Sequence, residues 1–168
     1  TEPPGSAITY CFELTNTGAS ALNITGWKVD DSSNSFASAV ALNGVSSIAA
    51  GQSVIFIEGN ATTAASFITN WFGASAPENF AIGYYSGSGI GLSATADAVN
   101  IYNGSGVLQA NVSFGASDSI SPYQTFDNAA GLNNTAISQL SVVGTNGAFI
   151  AANSAIEIGS PGTIAAVP

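Results

Sequence analysis

"DAVNIYNGSGVLQANVSFG", residues 97–115, decides the fold. Val99 and Ile101 alternate with their neighbours, "NGSG" follows, and Leu108, Ala110, Val112 and Phe114 alternate on the return. Successive side chains of a strand point to opposite faces, and Gly and Asn enter the positive-φ positions of a tight turn cheaply. The stretch therefore predicts a β-hairpin with Val99, Ile101, Leu108, Ala110, Val112 and Phe114 turned inward.

The same signature recurs on both sides of it. Short β-rich runs separated by Gly, Asn and Ser clusters fill the chain, which predicts an all-β sandwich or barrel. In "ITYCFEL", residues 8–14, Ile8, Tyr10, Phe12 and Leu14 share the inward face, with Thr9, Cys11 and Glu13 opposite. Residues 22–29 read as one strand in which Trp27 packs and Gly26 leaves room for a neighbour. "VIFI", residues 54–57, is apolar without alternation, as expected of a central strand covered on both faces. One short helix is expected in "NATTAASFITNWF", with Thr62 or Thr63 as N-cap and Ala65, Ile68 and Phe72 on its buried face, crossing the end of the sandwich. After Phe114 the chain becomes a loop-rich C-terminal third, with brief apolar stretches at 139–143 and 148–150. At 168 residues with no repeat period, a single domain over 1–168 is expected.

Composition excludes more than it suggests. The chain has ten acids, one base (Lys28), no His, one Cys and a net charge of -9. Nucleic-acid affinity rests on Lys and Arg displacing condensed counterions, so nucleic acid is not an expected partner. Without His, Ser-His-Asp and Cys-His catalysis are unavailable, and one Cys cannot build the usual zinc sets or an internal disulfide. Cys11 reads as a small buried hydrophobe rather than a reactive thiol. No apolar run reaches the roughly 20 residues a membrane span needs. Low Lys with abundant Thr, Asn, Ser and Gly points to an extracellular or cell-surface setting, and the start at Thr1 without Met to a processed chain.

Carboxylates are the chemistry left. Glu13, Glu58, Asp97 and Glu157 lie on or beside expected strands, where a pair could act on a glycosidic bond but solvation of the surface explains each of them. The expectation is a protein that is not an enzyme and needs no cofactor. Asp30 and Asp31 in "DDSSN" are candidate Ca²⁺ ligands, without the alternating spacing or terminal bidentate Glu of a dedicated calcium loop; an Asx-type turn is the favoured account of them. "GSGIG", residues 87–91, does not match a phosphate-binding glycine pattern and reads as a loop. Trp71, Tyr84, Tyr85 and Tyr123 are the candidate contacts for sugar or for another subunit; Tyr84 and Tyr85 are adjacent, so they point to opposite faces and one is expected outside. Sequons at Asn23, Asn60, Asn103, Asn111 and Asn133 are candidate glycosylation sites.

Taken together, "FELTNTGASALNITGWKVDDSSNSF", "LNGVSSIAAGQSVIFIEG", "NWFGAS", "GYYSGSGIGLSATADAVNIYNGSGVLQANVSFG", "TFDNAAG" and "EIGSPGTI" resemble bacterial lamin-tail domains, over residues 12–164. The turn after Leu14, the Gly26-Trp27 pair, the Ala50-Gly51-Gln52 turn and the Asp97-Ala98-Val99 hairpin occur in the family's order. The resemblance implies an immunoglobulin-like β-sandwich without catalytic residues, found on secreted bacterial proteins and sometimes beside nuclease or phosphatase domains. Animal lamin tails carry basic surfaces associated with DNA and chromatin; this chain has only Lys28. Members of this type open with an apolar strand, whereas here Thr1 and Glu2 stand directly before "PPGS", which implies one open sheet edge that another chain could fill. "SPGTIAAVP" resembles the run-up to the Val-Pro-Glu-Pro signal of exosortase-sorted (PEP-CTERM) surface proteins of biofilm-forming bacteria. The expected role is a non-catalytic structural or adhesive protein that self-associates into fibres or matrix; the alternative is an accessory module that binds carbohydrate or a partner protein for a secreted hydrolase.

Overall fold

The computed structural model describes residues 10–163. Ile8, Thr9, Thr1, Glu2 and the Val167-Pro168 end of the sorting-like segment lie outside the described residues. In chain order the first half holds β1 (Cys11–Thr15), β2 (Leu22–Asn23), β3 (Lys28–Asp30), β4 (Val40–Ala41), β5 (Ser47–Ile48), β6 (Ser53–Glu58) and α1 (Ala61–Phe72). The second half holds β7 (Ala81–Tyr85), β8 (Asp97–Tyr102), β9 (Leu108–Phe114), β10 (Tyr123–Gln124), α2 (Asn128–Gly131), β11 (Ala136–Ile137), β12 (Phe149–Ile150) and β13 (Glu157–Gly159).

Two sheets make the sandwich: β1-β6-β7 and β11-β9-β8-β3-β4. A small sheet, β10-β13-β12, and the pair β2-β5 complete the described strands. The hairpin β8/β9 forms as its alternation requires, with Val99 opposite Val112 and Ile101 opposite Ala110. A bulge beyond Ile101 shifts the register, and Leu108 is therefore 43% exposed instead of turning inward. Asn103 closes the turn by accepting the N–H groups of Ser105 and Val107.

β6 sits in the middle of its sheet, antiparallel to β1 and parallel to β7. A parallel pair needs a crossover, and α1 is that crossover. The helix lies on the outer face of the sheet, not across the end of the sandwich. Val54 and Phe56 point into the sandwich with Trp27, Val29, Tyr85 and Ile101, while Ile55 and Ile57 pack under Ala64, Phe67 and Trp71 of α1. The unbroken apolar run of β6 is thus covered on both sides. The cap of α1 is Asn60, whose Oδ1 accepts from Thr62 and Thr63 N–H, with Thr63 Oγ1 returning to Asn60 N–H. The buried stripe is Ala64, Phe67 and Trp71, one residue away from the expected Ala65, Ile68 and Phe72, because the former face Ile55 and Ile57 of β6.

The expected strand over 22–29 is two strands. Gly26 adopts φ +77° and Trp27 N–H closes a turn on Ile24 C=O, so Ile24, Trp27 and Val29 all reach the core despite their mixed parity. In the C-terminal third, residues 139–143 form no strand beyond an isolated Phe126–Leu140 bridge, and 148–150 supply β12. A second short helix, α2, is capped by Asp127, which accepts from Ala130 N–H.

Candidate functional site

β1 is the edge strand of its sheet among the described residues. Tyr10 C=O accepts from Glu58 N–H and Asn16 N–H donates to Gln52 C=O, so the even-numbered residues of β1 spend their backbone groups on β6. By antiparallel alternation, Cys11, Glu13 and Thr15 direct theirs the other way. Along that edge runs a groove of about 530 Å³, lined by β1 from Tyr10 to Thr15 on one side. Val99, Ile101, Ala110 and Val112 of the opposite sheet, Phe67 and Trp71 of α1, and Tyr123, Asp127 and Asn128 of the C-terminal third form its other walls.

Glu13 is the singular residue of this groove. It pairs with Ile55 on the helix-covered face of the sheet, so it is not the solvating surface acid expected of the strand's outer side. Oε1 accepts the Gly162 N–H at 2.8 Å, and Oε2 is buried without a hydrogen-bond partner. Burial pushes its carboxyl up from 4.5 to about 8, with the Gly162 N–H and the nearby Asn128 amide pulling it partly back down. Asn128 Nδ2 itself bonds to the carbonyl and hydroxyl of Ser160. Cys11, two residues earlier on the same face, has its thiol pushed up to about 12 by burial and then by Glu13 and Glu157, which makes it an inert thiol. Glu157 is wholly buried, accepts from Asn70 Nδ2 and does not line the groove, so surface solvation is corrected there too. Asp97 is half-buried and accepts from Ser32 and Ser93 N–H. Glu58 is half-buried at the end of β6.

Among the aromatic candidates, Trp71 and Tyr123 come together on this groove, whereas Tyr84 and Tyr85 do not. Trp71 is 2% exposed, stacked on Phe67 at 5.8 Å and edge-on to Phe149 at 5.7 Å, with Nε1 lacking a hydrogen-bond partner. Tyr85 is fully buried in the sandwich with its hydroxyl unpartnered, and burial raises that hydroxyl's pKa. Tyr84 is half-buried on the helix side. The expectation that one of the two tyrosines stands outside is corrected, since they do face opposite ways but both faces of this sheet are covered.

The "DDSSN" loop lies elsewhere, after β3. Asp31 Oδ1 accepts Ser33 N–H at 2.8 Å, an Asx-type turn. Asp30 is fully buried, and its oxygens accept from Ser33 Oγ, Ser35 N–H and Ser38 Oγ at 2.7, 2.6 and 3.1 Å. Among the described residues no group of three or more His, Cys, Asp or Glu is placed to hold a metal. Asn23, Asn60, Asn111 and Asn133 are exposed, and Asn103 is half-buried. No helix of the described residues is long and apolar enough to cross a membrane.

Sequence reading assigned Glu13 to surface solvation and missed Asn128 and Gly162 as site residues. The available signal was Glu13 itself: an acid on the same strand face as Cys11, opposite a residue of the fully apolar run 54–57.

Neither curated proteins nor solved structures give a match to the chain. The Lamin Tail Domain family model matches residues 2–116, which leaves "TFDNAAG" and "EIGSPGTI" outside the match. Those 115 of 168 residues span the two sandwich sheets except β11, and the immunoglobulin-like sandwich they form is compatible with a non-catalytic binding or structural role. The chain belongs to the lamin tail domain family.

Proposed function

We propose that this is a non-catalytic domain of a secreted or cell-surface protein that self-associates by strand addition at the edge of β1, building fibres or matrix. The observation that carries the reading is the edge itself: outward backbone groups at Cys11, Glu13 and Thr15, bordered by a groove lined with apolar residues. Main-chain hydrogen bonds would supply affinity and the groove walls selectivity. A surface with few charges supports close approach, because the net -9 is screened within about 8 Å at physiological salt. The same charge disfavours nucleic acid as a partner. The low-Lys, Asn- and Thr-rich composition, with four exposed sequon asparagines, supports the extracellular setting.

Light scattering coupled to size exclusion and electron microscopy test it. Wild-type protein should give species larger than the 16.7 kDa monomer, and Thr15→Pro, which removes one outward N–H, should return the monomer. A wild-type protein that is monomeric at all concentrations and forms no fibres overturns the reading. A binding module is the second reading, favoured by Tyr123, half-buried on the groove wall; Trp71, only 2% exposed, has no free ring face for a ligand. A glycan-array hit lost in Tyr123→Ala would put it first.

A further inference from the structure

The edge of β1 needs an occupant, and the chain offers one. Residues 142–150 form a turn closed by Gly144 N–H to Ala148 C=O at 2.9 Å and by Thr145 N–H to Val142 C=O at 2.9 Å. Its tip is tied to the body through Asn146 Nδ2, which donates to both oxygens of Asp127, itself on the groove wall. Despite this order, Val142, Val143 and Ile150 are 55, 50 and 49% exposed. Ile150 belongs to β12, which is itself an edge strand among the described residues. The turn thus presents apolar side chains beside an unused strand edge.

Charge selects between this segment and others. Glu13, Asp118 and Asp127 line the groove, and no base does. The chain's single base, Lys28, lies on β3 with Nζ 4.8 Å from the Phe36 ring centroid and is not among the groove's lining residues. An acidic occupant would be repelled. From Asn128 to Ile156 the chain has no charged residue at all.

We infer that the groove along β1 of one copy receives the turn 142–150 of a second copy, with β12 extending the sheet at β1 and Val142, Val143 and Ile150 covered by the groove walls. This rests on the self-association proposed above and names its donor. An uncharged donor also suits Glu13, whose raised pKa keeps it largely in the neutral acid form near neutral pH. The acids Asp118 and Asp127 and the phenols of Tyr10 and Tyr123 are the other titratable groups on the walls with Cys11. Because donor and acceptor are different patches, the contact is heterologous, and it propagates as an open chain wherever successive copies do not rotate into closure. Since internal hydrogen bonds already order the turn, little entropy is lost when it docks.

Mixing experiments separate this contact from other modes of assembly. A donor variant, Val142→Ser with Val143→Ser and Ile150→Ser, changes only exposed side chains; the acceptor variant is Thr15→Pro. Each alone should lose every species above 16.7 kDa, and the two mixed one to one should give a species of twice that mass and nothing longer. Wild-type filaments that persist undiminished in the donor variant overturn this inference and leave strand addition at β1 standing. Wild type that is itself monomeric overturns both. If Thr15→Pro fails to fold by circular dichroism, Gln109→Lys takes its place, putting a charge on the groove wall at an exposed position and leaving the β1–β6 hydrogen bonds untouched.

Discussion

Glu13 and Gly162, 149 positions apart, are joined by a 2.8 Å hydrogen bond from the glycine N–H to the carboxyl Oε1. That bond fastens the end of the C-terminal third to the first strand of the sandwich. It also holds a half-buried acid with one carboxyl oxygen out of water, which makes stability depend on pH.

In the unfolded chain Glu13 titrates near 4.5, and in the fold burial raises it to about 8. The folded state therefore binds the proton more tightly. Its contribution to stability is complete below about pH 4.5 and is lost as pH rises toward 8, at a slope of up to about 1.4 kcal/mol per pH unit. Urea midpoints measured across that range should fall with pH, and Glu13→Gln should flatten the fall. Parallel curves for the two proteins would show that the carboxyl is solvated after all.

Trp71 joins α1 to the outer sheet face and to the C-terminal third: its ring stacks on Phe67 and meets Phe149, and Gly159 packs against it so closely that a Cβ there would stand 2.9 Å from Cη2. Trp71→Ala should cost about 3–5 kcal/mol in chemical denaturation. Trp71→Phe should cost much less, about 1–2 kcal/mol, because the indole Nε1 has no hydrogen bond to lose.

Two glycines test space against conformation. A Cβ on Gly83 would lie 2.5 Å from both Asn43 O and a Phe56 ring carbon, in the middle of β7. Gly51 has φ +72° but open space around it. Gly51→Ala should cost about 1–2 kcal/mol of backbone strain. Gly83→Ala should cost more, about 3 kcal/mol, and lower the melting temperature further.

Asp30 spends its oxygens on three internal donors, so Asp30→Ala would leave Ser33, Ser35 and Ser38 short of an acceptor. The expected loss is about 3 kcal/mol. For the same reason added Ca²⁺ or a chelator should leave the wild-type melting temperature unchanged in differential scanning calorimetry.

How much of this was legible depends on how local each cause is. The β8/β9 hairpin could be read because turn residues and alternation lie within nineteen residues, and β6 because a strand with no polar face must be covered twice. The buried stripe of α1 could not be fixed: Ala64-Phe67-Trp71 and Ala65-Ile68-Phe72 have the same spacing, and only Ile55 and Ile57 beneath the helix distinguish them. Leu108 was misplaced by a bulge, which changes parity without any mark in composition. At the candidate site, Trp71 and Tyr123 were visible as aromatics, but their place on one groove depends on how the C-terminal third folds back. The burial of Glu13 was invisible for the same reason, since Gly162 and Asn128 are remote in the chain.

Lys28 has one more consequence. It is the single place where trypsin-like proteases could cut between residues 1 and 168, and it lies in β3, hydrogen-bonded between β4 and β8 with its ammonium over Phe36. A protease needs a locally opened segment, and this one is released only when the five-stranded sheet comes apart. The folded domain is in effect indigestible to that whole class of enzyme.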